Sequence, residues 1–327
     1  MLKFVSWVAS IFILISFIAF SAGLWCYTEF VSPTTKSNST IVLVEKGSGI
    51  GGISNTLFEK RVIPNPIIFE LSARIFSSGR VFQAGEYSIP EFSSPRQIVN
   101  IFQSGNTVVR RFTAAEGLNT QEIINLVRQT EGLIGKVTIP TAEGELLPET
   151  YHFSYGDTRD SILARMKKAM RGTLDELWPR RQGGLPVLTK NDAVILASIV
   201  EKETGLPLER ARVAGVFINR LRLGMRLQSD PTVIYGLTLG LRSLGRSLNR
   251  SDLKEFSIYN TYLNNGLPPS PISNPGRAAI NAVLNPIKTK DLYFVADGSG
   301  GHVFSSSLSE HNENVRAWRK KIHKKVD

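Results

Sequence analysis

The longest unbroken apolar stretch lies near the N-terminus, where residues 4–25 carry no charge. That is enough to cross a bilayer as a helix, for which about 20 residues are needed. A second apolar block covers residues 193–200, after the helix-capping types Asn191 and Asp192, and ends in Glu201-Lys202-Glu203. A helix that is apolar all round is buried. At about 100° per residue, Glu201 falls between Val194 and Ala197, and Glu203 between Ile199 and Leu196. Apolar surroundings and the negative helix C-terminus both favour the neutral acid and raise its pKa. A carboxyl that keeps its proton near neutral pH suits general acid chemistry. Equally, both residues fit a last turn paired with Lys202, Arg210 or Arg212. Periodicity does not choose between the two glutamates. The small Ala197, one turn before Glu201, leaves room for a ligand.

Shorter patterns fill the rest of the chain. Residues 32–40 (SPTTKSNST) read as a polar linker. A strand is expected over 41–44, a glycine-rich turn over 47–52, and helices over 53–60 and 65–77, the latter begun by Asn65-Pro66. A strand over 82–89, a helix over 94–103, a strand over 107–113 and a helix over 120–130 follow. Beyond the acidic helix (192–204) come a helix over 208–223 ending at Gly224, and a polar loop, Gln228-Ser229-Asp230-Pro231-Thr232. A buried strand over 292–296 and a helix over 310–325 close the chain. This irregular mixture predicts an α+β fold without a regular βαβ repeat.

Charge sharpens the picture. The formal charge is +11, and Lys3 is its sole contributor before residue 27. The positive-inside rule then puts the short N-terminus in the cytoplasm and the basic remainder outside. A cleaved signal peptide would need an unusually long apolar region, and Ala19-Phe20-Ser21 is a mediocre cleavage site, so an uncleaved anchor is expected. Cys26 is the sole cysteine, which excludes an internal disulfide, and Trp25 before it disfavours a lipidation site. Arg316, Arg319, Lys320, Lys321, Lys324 and Lys325 gather charge at the C-terminus, as a solvated helix face or a contact for an anionic partner. No nucleic-acid-binding motif accompanies them, so no nucleic acid partner is expected.

Several chemistries lack parts. His152, His302, His311 and His323 show no H-x-x-x-H spacing, and no metal or cofactor is expected. Neither a G-x-S-x-G elbow nor a P-loop is present. Gly47-Ser48-Gly49-Ile50-Gly51-Gly52 matches the dinucleotide fingerprint, but Glu70, the acid at the right distance, falls inside an expected helix.

Five segments carry a resemblance: GELLPETYHF (144–153), ASIVEKET (197–204), VFINRLRLGMRLQSDPTVIYG (216–236), YNTYLNNGLPPSPISNPG (259–276) and YFVADGSGGHVFSSSLSEHN (293–312). Together they resemble the MltG/YceG-like endolytic murein transglycosylases, in order, from about residue 41 to the C-terminus. The resemblance implies that Glu201, the first acid of EKET, is the catalytic residue. Asn219, Gln228, Asp230, Asn260 and Asn274 are the polar side chains expected nearest the substrate. Among Tyr235, Tyr259, Tyr262, Tyr293 and Phe294, one or two are expected to touch glycan, the rest being core or half-buried strand residues, while His302 is expected as a satisfied loop histidine rather than a sugar contact. The implied reaction cuts the bond between N-acetylmuramic acid and N-acetylglucosamine inside nascent strands, leaves 1,6-anhydro ends, and terminates strand elongation.

The strand–helix–helix–strand order near residue 41 implies a LysM-like glycan-binding subdomain. The expected organisation is a cytoplasmic stub and anchor (1–31), a linker (32–40), the LysM-like subdomain (41–108) and the catalytic domain (109–327). That describes a single-pass protein of the bacterial plasma membrane with its enzyme on the extracytoplasmic side, working beside peptidoglycan synthases. Two other readings stay open: a non-catalytic glycan-binding scaffold, and a muramidase-type hydrolase using Glu201 with Asp230 and a water.

Overall fold

A computed structural model describes residues 2–76 and 82–326, with side chains for 4–76 and 82–321. Ser77, the expected end of the second helix, and the side chains of Lys3, His323, Lys324 and Lys325 lie outside them. The chain clusters into two compact units, one of residues 1–110 with 152–156, the other of 111–151 with 157–327.

In the first unit, α1 (Leu2–Val31) runs past the apolar stretch in one piece, roughly 45 Å long at 1.5 Å per residue. Residues 4–31 are long and apolar enough to cross a membrane by length and composition. The last turn of α1 is built into a core. Phe30 is 1% exposed, stacks on Phe76 at 5.0 Å, and packs with Val42, Leu57, Phe69, Tyr87 and Phe102. Around that core lie β1 (Thr40–Val44), α2 (Ile50–Glu59), α3 (Pro66–Phe76), β2 (Gly85–Ile89) and α4 (Pro95–Ser104). β1 and β2 pair antiparallel, from Thr40 opposite Ile89 to Val44 opposite Gly85. Glu70, the decoy acid, sits within α3 and pairs with Arg74 one turn on.

β3 (Arg110–Thr113) and β4 (Thr150–Phe153) carry the chain between the units. The second unit contains α5 (Thr120–Gln129), α6 (Arg159–Leu177), α7 (Lys190–Glu203), α8 (Arg210–Arg222), α9 (Asp230–Thr238) and α10 (Arg277–Leu284). β5 (Tyr293–Ala296), β6 (His302–Ser305) and α11 (Leu308–Val326) complete it, with β5 and β6 antiparallel.

α7 is the axis of this unit. Every residue from Ala193 to Val200 is buried, as expected of an all-round apolar helix, and the walls come from α8 and α10. Its cap differs from the expected one. The Thr189 hydroxyl accepts from Asp192 N, and the Asp192 carboxylate accepts from Thr189 N, a capping box that places Asn191 and Asp192 inside the helix. Ala197 is fully buried in the core, so the space beside it is filled by protein rather than left for a ligand. α8 passes so close to the 287 backbone that a Cβ on Gly215 would lie 2.7 Å from the Ile287 carbonyl oxygen.

The region expected as a polar loop at 228–232 is a helix start. Ser229 is the N-cap, Asp230 opens α9, and Pro231 fits the first turn, where no N–H partner is needed. α6 and α10 were not expected as helices from the sequence. α6 places Arg159, Arg165, Lys167, Lys168 and Arg171 between its buried Ile162, Leu163, Met166 and Met170, which breaks up its apolar stripe.

Candidate active site

The two glutamates that end α7 leave it in different directions. Glu201 is enclosed: its side chain is 5% exposed. One carboxylate oxygen accepts from Arg210 Nη2 at 3.2 Å and the other from Gly276 N at 2.9 Å. Arg210, itself 10% exposed, also faces Glu116 at 3.6 Å. Gly276 lets the Glu116 carboxylate lie against this backbone, where a Cβ would push that carboxylate aside. Burial raises the Glu201 pKa, reinforced by Glu116, and outweighs the Gly276 N–H and Arg210, which lower it. This closed cluster is the ion pair with Arg210 that the sequence left open as one reading.

Glu203 opens onto a cavity of about 450 Å³. Gln228, Asp230, Tyr262, Tyr293 and Arg220 line it with Glu203, and His311 and Asn312 of α11 close one side. The Ser229 hydroxyl donates to Glu203 Oε1 at 2.5 Å. Burial pushes the Glu203 pKa up to about 7; Asp230 raises it further, while the Ser229 hydroxyl, His302 and Arg220 pull it down. The Tyr262 hydroxyl donates to Asp230 Oδ1 at 2.6 Å, and burial together with Asp230 raises the Tyr262 pKa.

The wall opposite α7 is tied down by hydroxyls. Thr261 Oγ1 accepts from Ser229 N at 3.0 Å and lies 2.8 Å from Thr232 Oγ1, while Gln228 N donates to Thr261 O at 3.1 Å. These bonds hold Gln228 at φ 50°, a left-handed conformation that a non-glycine residue adopts at some cost in strain. Arg220 reaches across beneath it: Nη1 donates to Leu227 O at 2.8 Å and Nε to Leu292 O at 2.7 Å. Its guanidinium lies over the Tyr293 ring at 5.1 Å, and His311 stacks on that ring at 5.1 Å. His311 Nδ1 is buried and makes no hydrogen bond among the described residues.

Of the residues expected at the substrate, Gln228, Asp230, Tyr262, Tyr293 and Phe294 line this cavity together with Glu203. Asn219 and Asn260 do not. Asn219 Nδ2 donates to the carbonyls of Thr289 and Asp291, and Asn260, fully buried, donates to those of Leu253 and Glu255. Asn274 is also fully buried; it donates to Leu118 O and Thr120 Oγ1 and accepts from Leu146 N. His302 is bound to Glu209, its Nδ1 2.7 Å from the carboxylate. Arg220 and His311 also line the cavity without being marked by the sequence; for Arg220, a cation in the last turn of a buried helix is the available signal. Among the described residues, no cluster of three or more His, Cys, Asp or Glu is placed to hold a metal.

A glutamate with its pKa near neutrality on the wall of an open polar cavity is equipped to give and take a proton. The YceG-like family matches residues 42–317. An endolytic murein transglycosylase of Bacillus subtilis is 29% identical over 329 residues, covering 89% of each chain. One from Streptococcus pneumoniae (strain D39) is 28% identical over 320 residues, covering 83% of this chain and 57% of its own, so this chain spans little more than half of that relative. The crystal structure of a YceG-like protein from Listeria monocytogenes is similar at a TM-score of 0.51 and 31% identity, covering 85% of this chain and 99% of that one. The chain belongs to the YceG-like family.

Proposed function

We propose that this protein is an endolytic murein transglycosylase and that Glu203, rather than Glu201, is its acid. The carrying observation is the shared cavity: Glu203, Gln228, Asp230 and Tyr262 meet there, whereas the Glu201 carboxylate is spent on Arg210 and Gly276. The names of the relatives from Bacillus subtilis and Streptococcus pneumoniae support the reaction class.

Protonated Glu203 gives its proton to the glycosidic oxygen between N-acetylmuramic acid and N-acetylglucosamine. That bond breaks and positive charge develops at the muramyl C1. The Glu203 carboxylate then takes the proton of the same sugar's C6 hydroxyl as that oxygen bonds to C1. The products are a 1,6-anhydromuramyl end and a free N-acetylglucosamine end, with no water consumed. One residue acts as acid and then base, which a pKa near 7 serves in both directions. Ser229 holds the carboxyl in place, and Asp230, oriented by Tyr262, faces the developing charge.

The rest of the chain fits the same reading. Residues 1–31 anchor the protein in the plasma membrane with the remainder outside, 32–40 link, 41–108 form a LysM-like glycan-binding subdomain, and 109–327 the catalytic domain. The antiparallel β1–β2 pair with two helices between its strands supports the LysM-like assignment. Cutting at the membrane surface, beside the synthases that extend the strands, would set strand length.

The test is mass spectrometry of uncrosslinked glycan strands treated with the full chain in detergent. Internal cuts ending in 1,6-anhydromuramic acid are expected. Ends one water heavier would make the protein a hydrolase with Asp230 as second carboxylate, and binding without cutting would leave a scaffold.

A further inference from the structure

A second cavity, of about 440 Å³, lies next to the first and takes no part in the proton transfer. Neighbouring residues divide between the two. Asp230 lines the Glu203 cavity and Pro231 the second; Glu203 lines the first and Lys202 the second. The start of α9 and the end of α7 are thus a shared wall. From α9 the second cavity receives Ile234, Tyr235 and Thr238, and from the segment beyond it Arg242, Leu244 and Arg246.

Its charge is lopsided. Lys202, Arg242 and Arg246 face a single acid, Glu122. Glu122 is spent capping its own helix through Asn119 N at 2.8 Å, and Arg246 is held by Asp252 through two bonds of 2.6 and 2.9 Å. Lys202 donates to Gly117 O at 3.2 Å and makes no ion pair among the described residues. Arg242 is exposed and makes no hydrogen bond or ion pair among the described residues. The remaining lining mixes apolar Pro231, Ile234 and Ile272 with the Tyr235 ring. Free cations beside small apolar surfaces suit a ligand that carries carboxylates on a short chain with methyl-sized side groups.

We propose that this cavity binds the anionic peptide stem carried by the muramyl residue at the cut, with Arg242 and Lys202 taking its carboxylates. This rests on the transglycosylase reading, because it is the lactyl group of muramic acid that would bring a peptide to the wall shared with Glu203. Such a site would make the enzyme read whether a strand still bears its stems, and stripped strands would be poorer ligands.

The test uses the full chain in detergent carrying Glu203→Gln, so that ligand is not consumed. Its dissociation constant is measured for a disaccharide–tetrapeptide strand fragment and for the same fragment stripped of peptide by an amidase, with and without Arg242→Glu. The stem is expected to tighten binding at least tenfold, and Arg242→Glu to remove that gain while the stripped fragment binds as before. Equal binding of the two fragments, or a gain that survives Arg242→Glu, overturns the assignment. Cleavage by the parent chain is followed in parallel. Cutting that persists without a stem effect sinks the stem site alone, whereas no cutting of either kind of strand sinks the transglycosylase reading and this site with it.

Discussion

Glu201 and Glu203 stand two residues apart on one helical turn, and both have raised pKa values because burial disfavours their charge. Their surroundings separate them. Glu201 meets a buried guanidinium and a backbone N–H, so both its oxygens have fixed work. Glu203 meets one serine hydroxyl and an open cavity with Asp230 and Tyr262 on its wall. The first arrangement holds α7 to the 276 turn; the second leaves a proton free to travel. A raised pKa alone therefore does not identify a catalytic acid; what the other carboxylate oxygen faces decides.

The largest effect that divides the pair is on rate. Glu203→Gln should lower strand cleavage by about 10³-fold, within the usual range for one acid–base residue, measured as soluble fragments released over time. Glu201→Gln should act on stability instead. It leaves the Arg210 charge buried with Glu116 at 3.6 Å as its remaining acidic neighbour, at a cost of about 3 kcal/mol. A fall in Tm of ~10 °C in thermal unfolding is the expected readout, and an unchanged Tm would remove the structural role given to this residue.

The pH dependence separates the pair further. The folded pKa of Glu203 lies at about 7, above its ordinary value of 4.5, so the neutral acid is the form the fold favours. Its stabilising contribution is complete below the ordinary value and is lost as pH rises through about 7. Glu203→Gln should therefore be more stable than the parent at pH 8, by up to about 3 kcal/mol, and no more stable at pH 4. Denaturant titrations at the two pH values check the sign. Cleavage by the parent should fall as pH rises above about 7.

Two smaller effects complete the comparison. Tyr262→Phe removes the hydroxyl that orients Asp230 and should lower kcat/KM by about tenfold, ~1.4 kcal/mol, with Tm unchanged. Gly276→Ala pushes the Glu116 carboxylate aside and strains the contact to Glu201, costing about 1 kcal/mol of stability with cleavage retained at low temperature.

What was legible in the sequence follows from how local each signal is. α7 is a run of buried residues between a cap and two acids, and reads directly as a buried helix. α9 was misread because Ser-Asp-Pro-Thr is turn chemistry and helix-start chemistry alike, and the difference lies in Thr261, 32 residues after Ser229, which fastens that start. α6 was missed because its cations interrupt the apolar stripe. Asn219, Asn260 and Asn274 look like ligand-binding amides in sequence, but backbone carbonyls occupy them, distant ones for Asn219 and Asn274 and those of the preceding turn for Asn260. The choice between Glu201 and Glu203 is of the same kind. It depends on where residues 210, 229 and 276 fold back onto α7, and periodicity along one helix carries no record of that.

The most direct test sets Glu203→Gln and Glu201→Gln side by side on the same uncrosslinked strands, well below either melting temperature, with end groups read by mass spectrometry. The account predicts that 1,6-anhydro ends vanish with Glu203→Gln and persist, within tenfold of the parent, with Glu201→Gln. Persistence of those ends in folded Glu203→Gln, with their loss in folded Glu201→Gln, would contradict it and return the acid to Glu201.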